Sequence, residues 1–354
     1  MKRRPSFSGR GRSFGAREQL RLGLLAAAAA CAPGCAALGY EPGASNVVRG
    51  PLPTRVQHPL ALTLPNLTPR RIVTQAPGEL GVGAEIAYSS IFELAAQPGQ
   101  AVRFDAEVLR ASARARYGLA ARWDLEVELA GVYGSGGFLD HFIDEFHDLI
   151  GAPDQGRDDA PEDQFEASMR FAGAEVYRWR PNRGQLGDTA LVLTFGEDAL
   201  AQGEWGNAWR VGVDLPTGDE DDGSGSGGLD WMLGWNGEYS SGALSYFASA
   251  SYGVARESEL FRAAGLDLPA RAAAFSALEW RWNSRLSLVA QLDLQAPLVA
   301  DIDLEEIDRP MLDLGLGWVH DLGPASRVWG SFHEDLFVDS GPDFALMLGW
   351  TWKR

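Results

Sequence analysis

Apolar and polar residues alternate one by one along many segments of this chain, most regularly in its C-terminal half. In the final segment Phe344, Leu346, Leu348, Trp350 and Trp352 occupy every second position, and the residues between them are smaller or polar. A period of two is typical of a β-strand, because successive side chains point to opposite sides of a sheet. The segment therefore predicts a strand with one apolar face.

The same pattern predicts twelve strands. They cover residues 80–93, 101–118, 122–133, 187–197, 206–216, 228–240, 243–255, 270–282, 284–297, 309–321, 326–337 and 342–353. Short and long connections alternate between them, with the short ones near 118–122, 240–243, 282–285 and 322–326 and the long ones near 134–185, 217–227, 256–269 and 298–309. The second strand changes phase near Val108 and Leu109, where we expect a β-bulge.

The apolar faces need a partner, and the sequence offers no amphipathic helices to cover them. A closed barrel in a bilayer turns every apolar face toward lipid and leaves no sheet edge, and single-chain bacterial barrels have an even number of strands. We therefore predict an all-β fold, an antiparallel transmembrane β-barrel of about 12 strands over residues 80–354. A long extracellular loop carries a short helix, and residues 164–180 form a hairpin above the membrane.

Residues 1–37 have the features of a cleaved export signal. A basic stretch precedes the apolar run Leu22–Ala30, which is too short to span a bilayer as a helix, and small residues continue to Ala37. A lipoprotein signal acylated at Cys31 or Cys35 is the alternative. We predict an integral outer-membrane protein of a Gram-negative bacterium. Its partners are then outer-membrane lipid, lipopolysaccharide and, during insertion, the barrel-assembly machinery.

Residues 38–79 are rich in proline, which cannot donate to a sheet ladder. We predict a periplasmic lead-in to the barrel, and a plug inside the lumen is the alternative.

The net charge of −17 changes the expected partners. An acidic protein repels nucleic acid, so we predict no nucleic-acid partner. Cations or cationic ligands are the expected solutes. The mean hydropathy of −0.15 is compatible with a membrane barrel, because polar lumen-facing residues dilute the apolar ones.

Charged residues opposite the apolar faces are candidates for lining the lumen, because Arg or Lys on the lipid face costs about 2–4 kcal/mol near the midplane. The candidates are Arg103, Asp105, Glu107, Arg114, Arg116, Asp124, Glu126, Glu128, Arg210, Asp214 and Asp293. They either pair across strands and brace the barrel or line a narrow pore and set its ion preference.

The first long loop contains the most distinctive run, GGFLDHFIDEFHDLIGAPDQGRDD at 136–159, with apolar residues at helical spacing. The polar candidates on this loop helix are Asp140, His141, Asp144, Glu145, His147 and Asp148. We interpret them as a water-facing surface, and we predict no metal and no cofactor.

That run, together with LPTGDEDDGSGSGGLD at 215–230 and DLFVDSGPDFALMLGW at 335–350, resembles the DUF3187 family. The resemblance covers about residues 50–354. It implies a bacterial outer-membrane barrel and supplies no catalytic residues.

The sequence predicts a narrow small-solute channel or binding barrel and no enzyme. One alternative is a structural or adhesion barrel with a closed lumen. Another is a barrel-type lipid hydrolase or protease, which needs a nucleophile with a positioned base. Ser331 and His333 share a strand face, whereas Glu334 points away from them.

The face assignment predicts that Leu288→Arg impairs assembly far more than Gln291→Arg, because only Leu288 is expected to contact lipid. Folding yield in detergent or lipid measures the difference. Equal yields would contradict the assignment.

Overall fold

The computed structural model describes residues 47–139, 161, 163–266, 268–299, 302, 304, 307–336 and 341–354. Within them, fifteen strands form one antiparallel sheet. The strands are β1 (Leu80–Gln97), β2 (Gln100–Ala120), β3 (Trp123–Ser135), β4 (Glu166–Phe171), β5 (Ala174–Arg178), β6 (Gly184–Leu186), β7 (Thr189–Phe195), β8 (Trp205–Leu215), β9 (Asp230–Ser241), β10 (Leu244–Val254), β11 (Arg271–Arg281), β12 (Leu286–Gln295), β13 (Met311–Asp321), β14 (Ser326–Asp335) and β15 (Phe344–Lys353). The helices are α1 (Pro59–Leu62) and α2 (Glu259–Ala264).

Twelve strands close into a barrel. β1 pairs with β2, β2 with β3, β3 with β7, and the order then follows the chain to β15. β15 pairs back with β1, from Gly81 with Lys353 to Ser90 with Phe344. Each predicted strand overlaps one of these twelve, so the predicted barrel is confirmed.

The barrel has a short-turn end and a long-loop end. At the long-loop end, β2 changes its partner from β3 to β4 and pairs with β4 from Gln100 to Asp105. The hairpin of β4 and β5 thus extends β2 beyond the barrel wall, where residues 164–180 were predicted to form one. The short strand β6 continues alongside β3 beyond β7.

The outer face of the barrel is apolar and exposed. Along β12, Leu288, Leu292 and Leu294 are exposed, whereas the residues that alternate with them are buried. On β15, 58 % of Leu348 is exposed. Aliphatic side chains repeated in this way around a closed barrel fit hydrocarbon as their surroundings. No helix in the described part of the chain is long and apolar enough to cross a bilayer.

The predicted bulge near Val108 and Leu109 is wrong. β2 pairs with β1 without interruption along that stretch, and the irregularity lies between Gly118 and Ala120 instead. One face of β2 therefore points inward throughout, and it comprises Val102, Phe104, Ala106, Val108, Arg110, Ser112, Arg114 and Arg116. The inner face turns apolar at the long-loop end because it packs there against other apolar residues.

Residues 48–75 run inside the barrel, and exposed residues at either side connect them to its short-turn end; we call residues 47–79 the plug. The plug starts at the short-turn end, reaches the long-loop end at α1 and returns to Gly78, whose N–H donates to Gly118 O (2.9 Å). Gly118 allows this approach, because a Cβ at that position would collide with Ala76 O.

The plug hydrogen-bonds with inward-facing side chains of eight strands. These side chains are Glu93, Asp124, Thr194, Arg210, Glu238, Glu279, Gln291 and Asp321. The described part of the predicted periplasmic lead-in therefore lies in the lumen, and that prediction was wrong. Proline excludes the segment from a sheet ladder, but its remaining backbone groups and its arginines bond to side chains of the wall.

We expect Thr54→Cys with Gln291→Cys to be joined by a short bismaleimide reagent in the folded protein, with Cys31 and Cys35 replaced by Ser. Thr54 Oγ1 accepts a hydrogen bond from Gln291 Nε2 (2.5 Å) inside the barrel. Mass spectrometry of the linked peptides measures the yield. The matched control is Thr54→Cys with Ala290→Cys, because Ala290 faces outward. Equal yields for the two pairs would place the plug outside the lumen.

Candidate functional site

Two arginines of the plug pair with carboxylates of the wall. Arg70 donates to both oxygens of Asp124, with Nη1–Oδ1 and Nη2–Oδ2 distances of 3.1 and 2.8 Å. The Gln75 N–H also donates to Asp124 (3.0 Å). Arg71 Nη2 donates to Glu238 Oε1 (2.6 Å). Asp124 and Glu238 are fully buried, so each charge depends on its partner rather than on water.

The first residues of the plug are held in the same way. Arg49 Nε donates to Asp321 Oδ2 (2.7 Å), and Arg49 Nη1 donates to Ser287 Oγ (2.9 Å). The N–H groups of Arg49 and Gly50 donate to the buried carboxylate of Glu279 (both 3.1 Å). Both the entry and the return of the plug are thus fixed by charge-assisted hydrogen bonds.

A second network braces the wall without the plug. Arg110 donates to Glu85 (3.1 Å) and to Glu128, and Arg114 donates to Glu128 (2.5 Å) and to Glu85 (3.2 Å). The four groups form a closed ring of opposite charges across β1, β2 and β3. This is the bracing arrangement that the sequence left open as one alternative.

The long-loop end is filled by an apolar cluster, which we call the mouth cluster. Its buried members are Val56, Leu60, Ala61, Leu64, Ile91, Val102, Phe104, Ala106, Val108, Val132, Ala167, Met169, Val176, Tyr177, Trp179, Phe261, Leu266, Leu298, Val299, Ile302, Leu304, Ile307 and Met311. They come from the plug, the wall, the β4–β5 hairpin and the loops around α2 and residues 298–311. The plug and the loops thus form a dry seal over this end.

His58 and Tyr177 have specific polar partners inside this seal. His58 lies 3.2 Å from Glu93 Oε2 and packs edge-on against Phe104, with 4.7 Å between the ring centroids. Tyr177 donates to Gly223 O (3.0 Å), and burial raises the pKa of its phenol. The tip of the plug and the hairpin are therefore fixed in one arrangement.

A cavity of about 470 Å³ remains at the short-turn end. The plug lines one side of it, and the other side is lined by β1, β2, β3, β13, β14, β15 and the turn before β14. The lumen thus combines a sealed long-loop end with a hollow short-turn end.

Eight of the predicted lumen-lining residues point inward. They are Arg114, Arg116, Asp124, Glu126, Glu128, Arg210, Asp214 and Asp293. Arg210 donates to Thr68 O of the plug (2.7 Å), and Glu126 lies 3.6 Å from Arg70. The structure therefore gathers several of these residues around the plug.

The prediction was wrong for Arg103, Asp105 and Glu107, which lie on the outer face of β2. Arg103 is largely exposed and pairs with Glu166 on β4 (3.2 Å). Glu107 accepts hydrogen bonds from Tyr88 and from the N–H of Phe138 (2.8 Å). Charges are tolerated on this outer face because β2 extends there beyond the barrel wall, where Arg103 is exposed and Asp105 and Glu107 are covered by other parts of the chain.

The loop-helix candidates Asp140, His141, Asp144, Glu145, His147 and Asp148 lie outside the described residues. Among the residues that the structure does describe, no three His, Cys, Asp or Glu side chains are grouped as metal ligands.

Residues that sequence reasoning missed hold the plug. They are Arg49, Arg70 and Arg71 of the plug and Glu238, Glu279 and Asp321 of the wall. The three acidic residues occupy inward positions of their strands, so the period-two pattern could have identified them. The three arginines carried no such signal, because the plug has no strand or helix period.

Ser331, His333 and Asp313 form a hydrogen-bonded relay inside the barrel. His333 Nδ1 lies 2.6 Å from Asp313 Oδ2, and Nε2 lies 3.0 Å from Ser331 Oγ. Serine hydrolases use this order of atoms together with an accessible nucleophile and donors for an oxyanion. Here Ser331 is buried, and β14 pairs with strands on both sides. We interpret the relay as polar packing of the wall.

A family model described as "Protein of unknown function (DUF3187)" matches residues 31–354. The chain belongs to the DUF3187 family. No curated protein sequence matches this DUF3187 chain significantly.

A solved outer-membrane channel shares its fold. The COG4313 outer membrane channel from Pseudomonas putida F1 is 14 % identical, covers 82 % of this chain and 100 % of its own, and has a TM-score of 0.53. At this identity the likeness establishes the fold alone. The NanC porin is 8 % identical, covers 77 % of this chain and 98 % of its own, and has a TM-score of 0.44, too low to support an inference.

Asp124→Asn should loosen the returning half of the plug, because buried Arg70 then keeps only Glu126, at 3.6 Å, as a carboxylate partner, and breaking a buried pair costs up to about 3–5 kcal/mol. We expect faster amide hydrogen exchange in residues 66–75. The control is Glu197→Gln, whose pair with Arg122 is exposed and should change stability by about 1 kcal/mol or less. Unchanged exchange in Asp124→Asn would show that the pair does not hold the plug.

Proposed function

We propose that this protein is an outer-membrane channel for small solutes and that the plug closes it in the described conformation. The observation that carries the proposal is a lumen lined by charged and polar side chains, with a cavity of about 470 Å³ beside the plug. A polar lumen inside an apolar outer face is typical of barrels that conduct water-soluble molecules. The channel-type fold supports the same function.

We also propose the surroundings of the channel. The short-turn end faces the periplasm and the long-loop end faces the exterior, as is usual for bacterial barrels. Outer-membrane lipid and lipopolysaccharide surround the apolar band. Export by a cleaved signal and insertion by the barrel-assembly machinery bring the chain there.

A closed scaffold is the second candidate, and the mouth cluster is the observation that favours it. A plug buried between the wall and the loops resembles a protein core more than a gate. The two candidates differ in what lies behind the plug. A channel has a continuous water-filled lumen once the plug is removed, whereas a scaffold has a lumen that collapses or stays blocked.

Deletion of residues 50–69 separates the two. Arg71 Nη1 donates to Val48 O (2.9 Å), so the two ends of the excised segment lie close together, and Arg49 and Arg70 remain to pair with the wall. In planar bilayers we expect the mean conductance to rise about tenfold or more over that of the full chain.

The control is the full chain carrying Thr54→Cys and Gln291→Cys, with the plug linked covalently to the wall through the two new thiols. This linked protein should stay closed, because the plug cannot leave the lumen. A deletion variant that is folded and still silent would support the scaffold.

A further inference from the structure

The cavity at the short-turn end has the size of a small-molecule site. Its volume of about 470 Å³ lies within the roughly 300–1,000 Å³ of typical ligand pockets. One side is the plug, with Arg70 and Arg71, and the other is the barrel wall, with Arg114 and Arg116 on β2. Its position at the short-turn end leaves it outside the mouth cluster.

The lining of the cavity is basic, in contrast to the chain as a whole. Its charged residues are the cations Arg49, Arg70, Arg71, Arg114, Arg116, Arg327 and Lys353 and the carboxylates Glu85 and Glu126. Asp124, Glu238 and Asp321, which pair with several of these arginines, are not among the lining residues. The guanidinium groups thus stand between the carboxylates and the open space, and the cavity presents positive charge.

Arg116 has an incomplete set of partners. The other five arginines of the lining donate hydrogen bonds to protein oxygens, whereas the Arg116 guanidinium makes none to the described residues. Its nearest carboxylate oxygen, Asp124 Oδ2, is 3.5 Å from Nε and already accepts from Arg70 and Gln75. The N–H donors of the Arg116 guanidinium therefore border the cavity without a hydrogen-bond acceptor among the described residues.

We propose that this cavity binds a small organic anion through a carboxylate or phosphate group and that Arg116 receives the oxyanion. The planar guanidinium matches either group with two parallel hydrogen bonds. Arg327 and Lys353 lie on the same lining, where each is paired with one carboxylate, Asp321 and Glu79 respectively. The inference rests on the proposed function, because it makes the cavity the solute-binding part of the channel. The net charge of the chain favoured cationic ligands, whereas this proposal favours an anionic one. A solute inside the lumen responds to the charges that line the cavity rather than to the net charge of the whole chain.

Isothermal titration calorimetry of the full chain in detergent at low salt tests the proposal. The probes are glucuronate and glucose 6-phosphate, with glucose as the neutral control. We expect one or both anions to bind about tenfold or more tightly than glucose, and the tighter anion distinguishes carboxylate from phosphate recognition. Raising the salt concentration should weaken anion binding.

Arg116→Gln should weaken anion binding about tenfold or more, and Arg116→Lys, which keeps the charge without the fork, should lose less. The matched control is Arg103→Gln on the outer face of the same strand, with unchanged affinity. Thermal melting checks that each variant is folded. Anion binding no tighter than glucose binding, or equal affinity in the wild type and Arg116→Gln, would overturn the proposal.

The anion-binding test and the conductance test can fail independently of each other. A conducting deletion variant beside a full chain that binds no anion leaves the channel standing and removes the anion site. A silent deletion variant beside a full chain that binds anions through Arg116 keeps the site and removes the channel.

Discussion

Most charges that face the lumen are buried, and a buried charge needs a partner within the protein. Asp124, Glu238 and Glu279 are almost completely inaccessible to water, although they belong to the polar side of their strands. In an open pore, water would solvate these carboxylates. In this barrel the plug occupies that space and supplies arginines and backbone N–H groups instead. The plug is thus part of the electrostatic structure of the wall.

The lumen has two zones that hold the plug by different forces. Near the short-turn end the contacts are ion pairs and charge-assisted hydrogen bonds, and a cavity remains beside them. Near the long-loop end the contacts are apolar, and the space is filled. This division explains why β2 is polar inside around Arg110 and Arg114 but apolar inside at Val102 and Phe104. The polarity of a strand's inner face therefore matches the polarity of the groups that it contacts at that level of the barrel.

Most of the barrel could be predicted from the sequence, because lipid outside and a polar lumen inside impose a strict period of two. The prediction failed at Arg103, Asp105 and Glu107, because a period indicates which residues share a face but not what that face contacts, and here the apolar face with Val102 and Phe104 points inward. The plug could not be placed, because a proline-rich segment without regular structure has no period. Its Arg49, Arg70 and Arg71 balance inward carboxylates of the wall, so charge balance is informative where periodicity is not.

The two zones also respond differently to their surroundings. Salt screens buried ion pairs only weakly, so the contacts of Arg70 and Arg71 with Asp124 and Glu238 depend on whether water reaches them rather than on ionic strength. Removing the whole plug would leave several carboxylates without partners, at about 3–5 kcal/mol for each buried pair, although water entering the lumen would offset part of that cost. Separating the mouth cluster would instead expose apolar surface, which water opposes. Release of the plug thus requires water to enter the lumen around its ion pairs and the apolar seal around α1 to open.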